Sequence, residues 1–207
     1  MTPPKSHNLI PAQISGAKRD SVAEKKFGDR PAATGYFQKV CARLLQVNQW
    51  KKYAGDFTAE FQLFDSSGKE ADRAVQLHDH FRIDIPGPGS RAGDGYDWVQ
   101  VERLEKYESD DEDFLLMTVR PVAKPTGRSG DTAHFFSDES TSTFIINRLE
   151  NTVTAEVHGR NEKPNTDVEL PADKARNAIA GTVAIIGFSK FEWQSLAEGL
   201  LNYSEDI

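Results

Sequence analysis

The alternation of apolar and polar residues divides the middle of the chain into strands. Six stretches between residues 57 and 160 alternate with a period of two, which is typical of a β-strand with one buried face. The predicted strands are Phe57–Phe64, Ala74–Ile85, Trp98–Leu104, Phe114–Val122, Thr141–Leu149 and Thr152–Arg160. Turn-forming residues separate them, so successive strands are expected to pair antiparallel.

Two other segments have the spacing of a helix with one apolar face. The first runs from Thr34 to Gly55, and the second, a long one, runs from Ala172 to Asn202. The order of these elements predicts an α+β fold, a curved antiparallel sheet of about six strands with an N-terminal helix and a long C-terminal helix packed on one face. A small β-barrel or half-barrel of the OB or SH3 kind, with the helices appended, is the alternative architecture.

The first thirty residues lack either periodicity. They mix proline, glycine and serine with six basic and three acidic residues. This composition is typical of a mobile N-terminal leader, or of a strap over the body of the protein. We therefore expect residues 1–30 to be a leader and residues 31–207 to form a single α+β domain.

Composition and charge disfavour several classes of function. The chain has 207 residues, 38% of them hydrophobic, and a formal net charge of -7. A negative mean field repels phosphates, so we expect no nucleic-acid partner. The most apolar run, Ala178–Phe188, is shorter than the roughly 20 residues of a membrane span, and the N-terminus lacks the apolar run of a signal peptide. A cytoplasmic protein is expected.

Motif searches do not point to a cofactor. The glycine-rich segment Gly87–Gly95 lacks the GK[ST] ending of a phosphate-binding loop and precedes a strand pattern, and there is no G-x-S-x-G elbow. The lone cysteine, Cys41, excludes an intrachain disulfide and a cysteine-based zinc cluster, and its apolar surroundings predict a buried, inert thiol. We expect no cofactor and lean against an enzyme.

A helix that ends in an aromatic cluster (Leu44, Leu45, Val47, Trp50, Tyr53), a run of antiparallel strands and the long C-terminal helix resemble the START-like, or helix-grip, superfamily. This superfamily includes polyketide cyclase-like and pollen-allergen-like proteins. The resemblance covers residues 34–202 and rests on element order. It implies a sheet that wraps the last helix and a cavity between them that commonly holds an apolar ligand. The first strand that the superfamily has ahead of its helices is not evident in residues 1–30.

The leading functional hypothesis is therefore a non-enzymatic protein that binds an apolar small molecule in a pocket between the sheet and the C-terminal helix. Large apolar side chains on the inner face are the candidate ligand-binding residues. They are Trp50, Phe57, Phe61, Ile83, Trp98, Phe144 and Trp193.

Two other hypotheses belong to different classes. The apolar residues between Phe191 and Leu201 could form an exposed patch, which would favour an interaction or assembly module, such as a homodimer. Alternation places His78, His80 and Asp84 on one strand face, as a two-histidine metal site requires, but an exposed polar sheet face accounts for the same pattern. Enzymatic chemistry would need these histidines clustered with a third ligand.

Overall fold

A seven-stranded antiparallel sheet dominates the fold. The computed structural model describes residues 4–55, 59–84, 94–126, 132–165 and 192–204. Within these ranges the strands are β1 (Ala17–Lys26), β2 (Glu60–Phe64), β3 (His80–Asp84), β4 (Asp97–Tyr107), β5 (Glu112–Pro121), β6 (Thr141–Leu149) and β7 (Thr152–Glu162). Their order is β1-β7-β6-β5-β4-β3-β2, so the first strand lies beside the last. A β-bulge in β4 between Val101 and Arg103 contributes to the curvature.

The helices lie on one face of this sheet, which we call the helix face. They are α1 (Arg30–Leu45), α2 (Trp50–Ala54) and α3, which is described over residues 192–202. Asp29 caps α1 by accepting a hydrogen bond from the Ala32 N–H at 2.8 Å. The single helix predicted up to Gly55 is instead α1, a 3₁₀ turn at Val47–Gln49 and α2, and Gly55 ends α2 with a positive φ of 100°.

The hydrophobic core fills the space between the helix face and the helices. Phe37, Val40 and Leu44 of α1 are fully buried, and α1 packs on β6 and β7. Leu196 and Leu200 bring α3 into the same core. None of the helices in the described ranges has the length and apolarity needed to cross a bilayer.

The opposite face of the sheet is covered by residues 4–16, which we call the N-terminal strap. Its 3₁₀ segment, Lys5–Leu9, begins the strap, and Leu9 and Ile10 pack on an apolar cluster of β5 and β6. Asn161 fixes its far end, because its Oδ1 accepts the Ile14 N–H at 2.7 Å and its Nδ2 donates to the Ala12 carbonyl at 3.0 Å. We call this side of the sheet the strap face.

Assigning residues 1–30 to a leader outside the domain is wrong for Ala17–Lys26, which form β1. The predicted six strands all occur, with shifted ends, and β1 is the seventh. The strand was missed because it lies at the sheet edge and buries little: Ser21 is its buried residue, and Val22 is 47% exposed. Backbone pairing with β7 decides the position of β1. Such pairing does not require alternating hydrophobic residues, so the sequence of β1 shows almost no alternation.

Three sequence predictions fall partly or wholly outside the described residues. They are the ligand-binding role of Phe57, most of the glycine-rich segment Gly87–Gly95, and the 172–191 portion of the predicted C-terminal helix. The remaining portion of that helix, residues 192–202, is helical and packs in the core as expected.

Candidate functional site

A cavity lies between the helix face and α3, lined mainly by aromatic and aliphatic side chains. Its apolar lining residues are Trp50, Phe61, Phe81, Ile83, Val99, Val119, Phe135, Phe136, Phe144 and Trp193. The cavity volume is about 30 Å³. A cavity needs about 10–15 Å³ on this measure to hold one water molecule, so the described residues leave room for about two. Among the described residues, this cavity is far smaller than the several hundred cubic ångströms of a typical small-molecule site.

Trp50 is the centre of the aromatic lining. The start of α2 positions it, and its indole Nε1–H donates to the Leu44 carbonyl at 3.0 Å, which satisfies its polar atom at full burial. Its ring lies 5.1 Å from Phe61 and 4.9 Å from Phe144, centroid to centroid. Trp193 of α3 completes the group with a T-shaped contact to Phe144 at 5.3 Å. These contacts join α2, two strands and α3 around one space.

Two buried ionisable residues also line the cavity. Glu192, at the start of the described part of α3, accepts the Ala59 N–H at 2.6 Å, and burial raises the pKa of its carboxyl to about 7. Burial lowers the pKa of His134 to about 3, so its imidazole is neutral at physiological pH. Its Nδ1 accepts the Phe136 N–H at 2.9 Å, which leaves Nε2–H as a donor. The cavity is therefore mainly apolar, with three polar residues in its lining, the buried Glu192 and His134 and the half-buried Ser142.

Most of the sequence-predicted ligand-binding residues meet here. The structure brings together Trp50, Phe61, Ile83, Phe144 and Trp193. Trp98 does not join them, because it precedes the inward-facing Val99 in β4 and so points to the other face, where it packs with Phe64 and Ala133. Sequence reasoning also missed Glu192 and His134, since a buried carboxyl or imidazole has no distinguishing spacing.

The candidate metal ligands His78, His80 and Asp84 do not form a ligand set. His78 precedes β3 with a positive φ of 71° and is exposed, so strand alternation does not apply to it. His80 is buried beside the Asp65 carbonyl, and burial lowers its pKa. Asp84 is exposed at the end of β3.

A different group of metal-ligating side chains lies on the strap face. His7 of the strap meets Glu156 and His158 of β7, and their candidate ligand atoms all lie within 4.8 Å of one another. Glu156 Oε2 is 2.7 Å from His7 Nε2 and 2.9 Å from His158 Nε2. Hydrogen bonds from these groups hold the pKa of Glu156 down at about 2, despite its burial. The alternation of Glu156 and His158 was visible in the sequence, whereas the approach of His7 was not.

Most of the apolar surface considered for assembly is buried: Trp193 is half-buried, and Phe191 lies outside the described residues. Within the described part of residues 191–201, Leu196, Leu200 and Leu201 are all at most 1% exposed, as members of the core. The sequence pattern came from an amphipathic helix, whose apolar face can pack on a partner or on the same chain. In this structure that face packs on the sheet of the same chain. Cys41 is buried, as predicted, and burial raises its pKa.

Comparison with known proteins supports the fold. No protein-family model and no curated protein sequence matches the chain. Among solved structures, a hypothetical protein from Helicobacter pylori aligns with a TM-score of 0.54 and 14% identity, over 92% of this chain and 89% of that one. The chain therefore has a similar fold to that protein.

Two further solved structures align with lower TM-scores. One is a protein from Arthrobacter aurescens, with a TM-score of 0.41, 14% identity, and 89% and 85% of the two chains covered. The other is a START superfamily protein from Mycobacterium smegmatis, with a TM-score of 0.33, 9% identity, and 87% and 99% covered. The element order itself agrees with the START-like resemblance, since β1 supplies the strand ahead of the helices that the sequence did not reveal.

Proposed function

We propose that this protein binds a small apolar molecule between the helix face and α3. The observation that supports the proposal is the convergence of Trp50, Phe61, Phe144 and Trp193 on one cavity that also contains two buried polar groups. Ligand sites are commonly apolar concavities with a few polar groups that fix orientation.

The polar groups indicate the chemistry of the ligand. Glu192 changes protonation near neutral pH, and neutral His134 offers an N–H. A ligand with an apolar, preferably aromatic, body and one hydroxyl or carbonyl group would satisfy both requirements. A permanently anionic ligand is disfavoured, because it would meet the Glu192 carboxylate and the net charge of -7.

The small volume requires the site to open on binding. Trp193 is partly exposed, as are Phe135 and Ser142 elsewhere in the lining, whereas Trp50 and Phe144 are at most 1% exposed. The other end of α3 is anchored, since Arg43 donates to the carbonyls of Leu200 and Tyr203 at 2.6 and 2.8 Å. We therefore expect the Trp193 end of α3 to move and admit the ligand, with the hydrogen bond from Ala59 to Glu192 broken in the open state.

The test uses the uncharged fluorescent probe N-phenyl-1-naphthylamine. We expect saturable one-to-one binding, with quenching of tryptophan fluorescence. Val119→Phe fills the cavity and should weaken binding at least about tenfold. Val22→Phe makes the same change at an exposed position of β1 and should leave binding unchanged. Native mass spectrometry of the purified wild type provides an independent measurement of a retained small molecule.

Circular dichroism would establish that both variants fold. If wild type shows no saturable binding, or if folded Val119→Phe binds as tightly as Val22→Phe, the proposed site is wrong.

A further inference from the structure

We propose that His7, Glu156 and His158 bind one divalent transition-metal ion, with Zn²⁺ as the best match, and that this ion fastens the N-terminal strap to β7. Two imidazole nitrogens and a carboxylate oxygen form a common zinc ligand set in proteins. The site is on the strap face and is separate from the cavity under α3.

The ligand atoms already lie close to the required geometry. In a tetrahedral site with bonds of about 2.0 Å, neighbouring ligand atoms are about 3.3 Å apart. The two nitrogen-to-oxygen distances are 2.7 Å for His7 and 2.9 Å for His158, both to Glu156 Oε2. Each needs to lengthen by about half an ångström to admit the ion. The third pair, the candidate nitrogens of His7 and His158, lies within 4.8 Å and would need to settle at the same spacing through side-chain rotation.

The surrounding groups orient two of the ligands. Asp20 Oδ1 lies 2.6 Å from His158 Nδ1, so it can hold the proton on that nitrogen and leave Nε2 free for a metal. Thr154 Oγ1 donates to Glu156 Oε1 at 2.6 Å, which leaves Oε2 as the coordinating oxygen. This carboxylate–histidine–metal arrangement is typical of protein zinc sites.

Strand pairing produces the arrangement. Asp20 of β1 is directly opposite His158 in the β1–β7 register, and Glu156 lies two residues earlier on the same face of β7. The strap then places His7 above this face, with its ring 5.5 Å from the His158 ring. Glu156 and His158 are buried, whereas the His7 side chain is 34% exposed. The exposed side provides the fourth ligand position for water.

A hydrogen-bonded network without metal is the competing explanation. In it His158 would need a proton on both ring nitrogens, because each faces a carboxylate, and Glu156 Oε2 would accept from both histidines. The two explanations differ in a measurable property, which is stoichiometric affinity for metal.

The experiment starts from the full chain treated with EDTA. Zn²⁺ binding is measured by calorimetry and elemental analysis, and Co²⁺ binding by visible absorption. We expect one ion per chain, a Kd tighter than about 10 µM, and Co²⁺ bands of tetrahedral intensity. Metal should also slow limited proteolysis within the strap, because the ion links the strap to the sheet.

Three variants locate the site. Asp20→Asn removes the outer carboxylate and should weaken binding about 10- to 100-fold. His7→Ala removes a direct ligand and should weaken it more. His7 is in the partly exposed strap, so this variant is expected to fold. His78→Asn is the matched control, because asparagine tolerates the positive φ at that exposed position, and it should bind as wild type does.

Absence of stoichiometric binding to wild type would overturn the proposal in favour of the hydrogen-bonded network. Equal affinity of His7→Ala and His78→Asn would also overturn it, since the ion would then be bound elsewhere.

Discussion

The buried carboxyl of Glu192 should make the stability of this protein depend on pH. Its ordinary pKa is 4.5, and burial raises the folded-state value to about 7. Between these values the folded state holds a proton that the unfolded state has released. Stability from this group is therefore fully present below about pH 4.5 and is lost as pH rises through about 7. Glu192→Gln should remove this dependence, because an amide oxygen can still accept the Ala59 N–H and does not ionise.

The size of the effect follows from the two pKa values. One pKa unit corresponds to about 1.4 kcal/mol, so the difference between 4.5 and about 7 amounts to about 3 kcal/mol at alkaline pH. Relative to wild type, Glu192→Gln should gain about 2–3 kcal/mol in unfolding free energy between pH 5 and pH 8. Asp97, whose pKa burial also raises to about 7, contributes in the same direction to both proteins, so it cancels in the difference.

Urea unfolding from pH 5 to pH 8, followed by tryptophan fluorescence, measures the difference directly. Glu198→Gln is the matched control, because it changes the same residue type on the exposed side of α3. Its difference from wild type should stay constant over the range. The reasoning is refuted if the Glu192→Gln difference is equally constant, or if wild type gains stability relative to this variant as pH rises.

The remaining predictions concern other buried contacts. Arg148 is fully buried, and its Nε donates to Asp113 at 2.7 Å. Arg148→Met should lower the unfolding free energy, measured by urea unfolding, by about 3–5 kcal/mol, because it leaves a buried carboxylate without its ion-pair partner. Arg148→Met with Asp113→Asn should recover part of that loss, and no recovery would contradict the ion-pair explanation. Gly199→Ala should cost about 1–3 kcal/mol, because a Cβ there would overlap the Tyr53 carbonyl. Gly35→Ala in α1, where the added Cβ meets nothing, should instead raise the unfolding free energy by up to about 1 kcal/mol and so raise the melting temperature. A lower melting temperature for Gly35→Ala would contradict this explanation of the two glycines.

Local patterns were sufficient to predict the elements that bury one clear face. The strands from β2 to β7 and the helix beginning near residue 30 have strong alternation or helical spacing, and they occur where predicted apart from shifted ends. Of the seven candidate side chains that these patterns indicated, five line the cavity, Trp98 does not, and Phe57 lies outside the described residues. Trp98 was assigned to the wrong face of the sheet. Both faces of this sheet are covered, so a large apolar residue can be buried on either one, and Trp98 belongs to a separate cluster on the face opposite the helices.

The chain order of hydrophobic periods thus determined the α+β class, the antiparallel connections and the presence of an aromatic inner face. Tertiary pairing decided the rest. Strand β1 depends on hydrogen bonds to β7, and the ionisation of Glu192 depends on burial by residues distant in sequence. The encounter of His7 with Glu156 spans 149 positions. Local sequence does not encode such long-range approaches, because they depend on how the whole sheet curves and on which residues then cover its two faces.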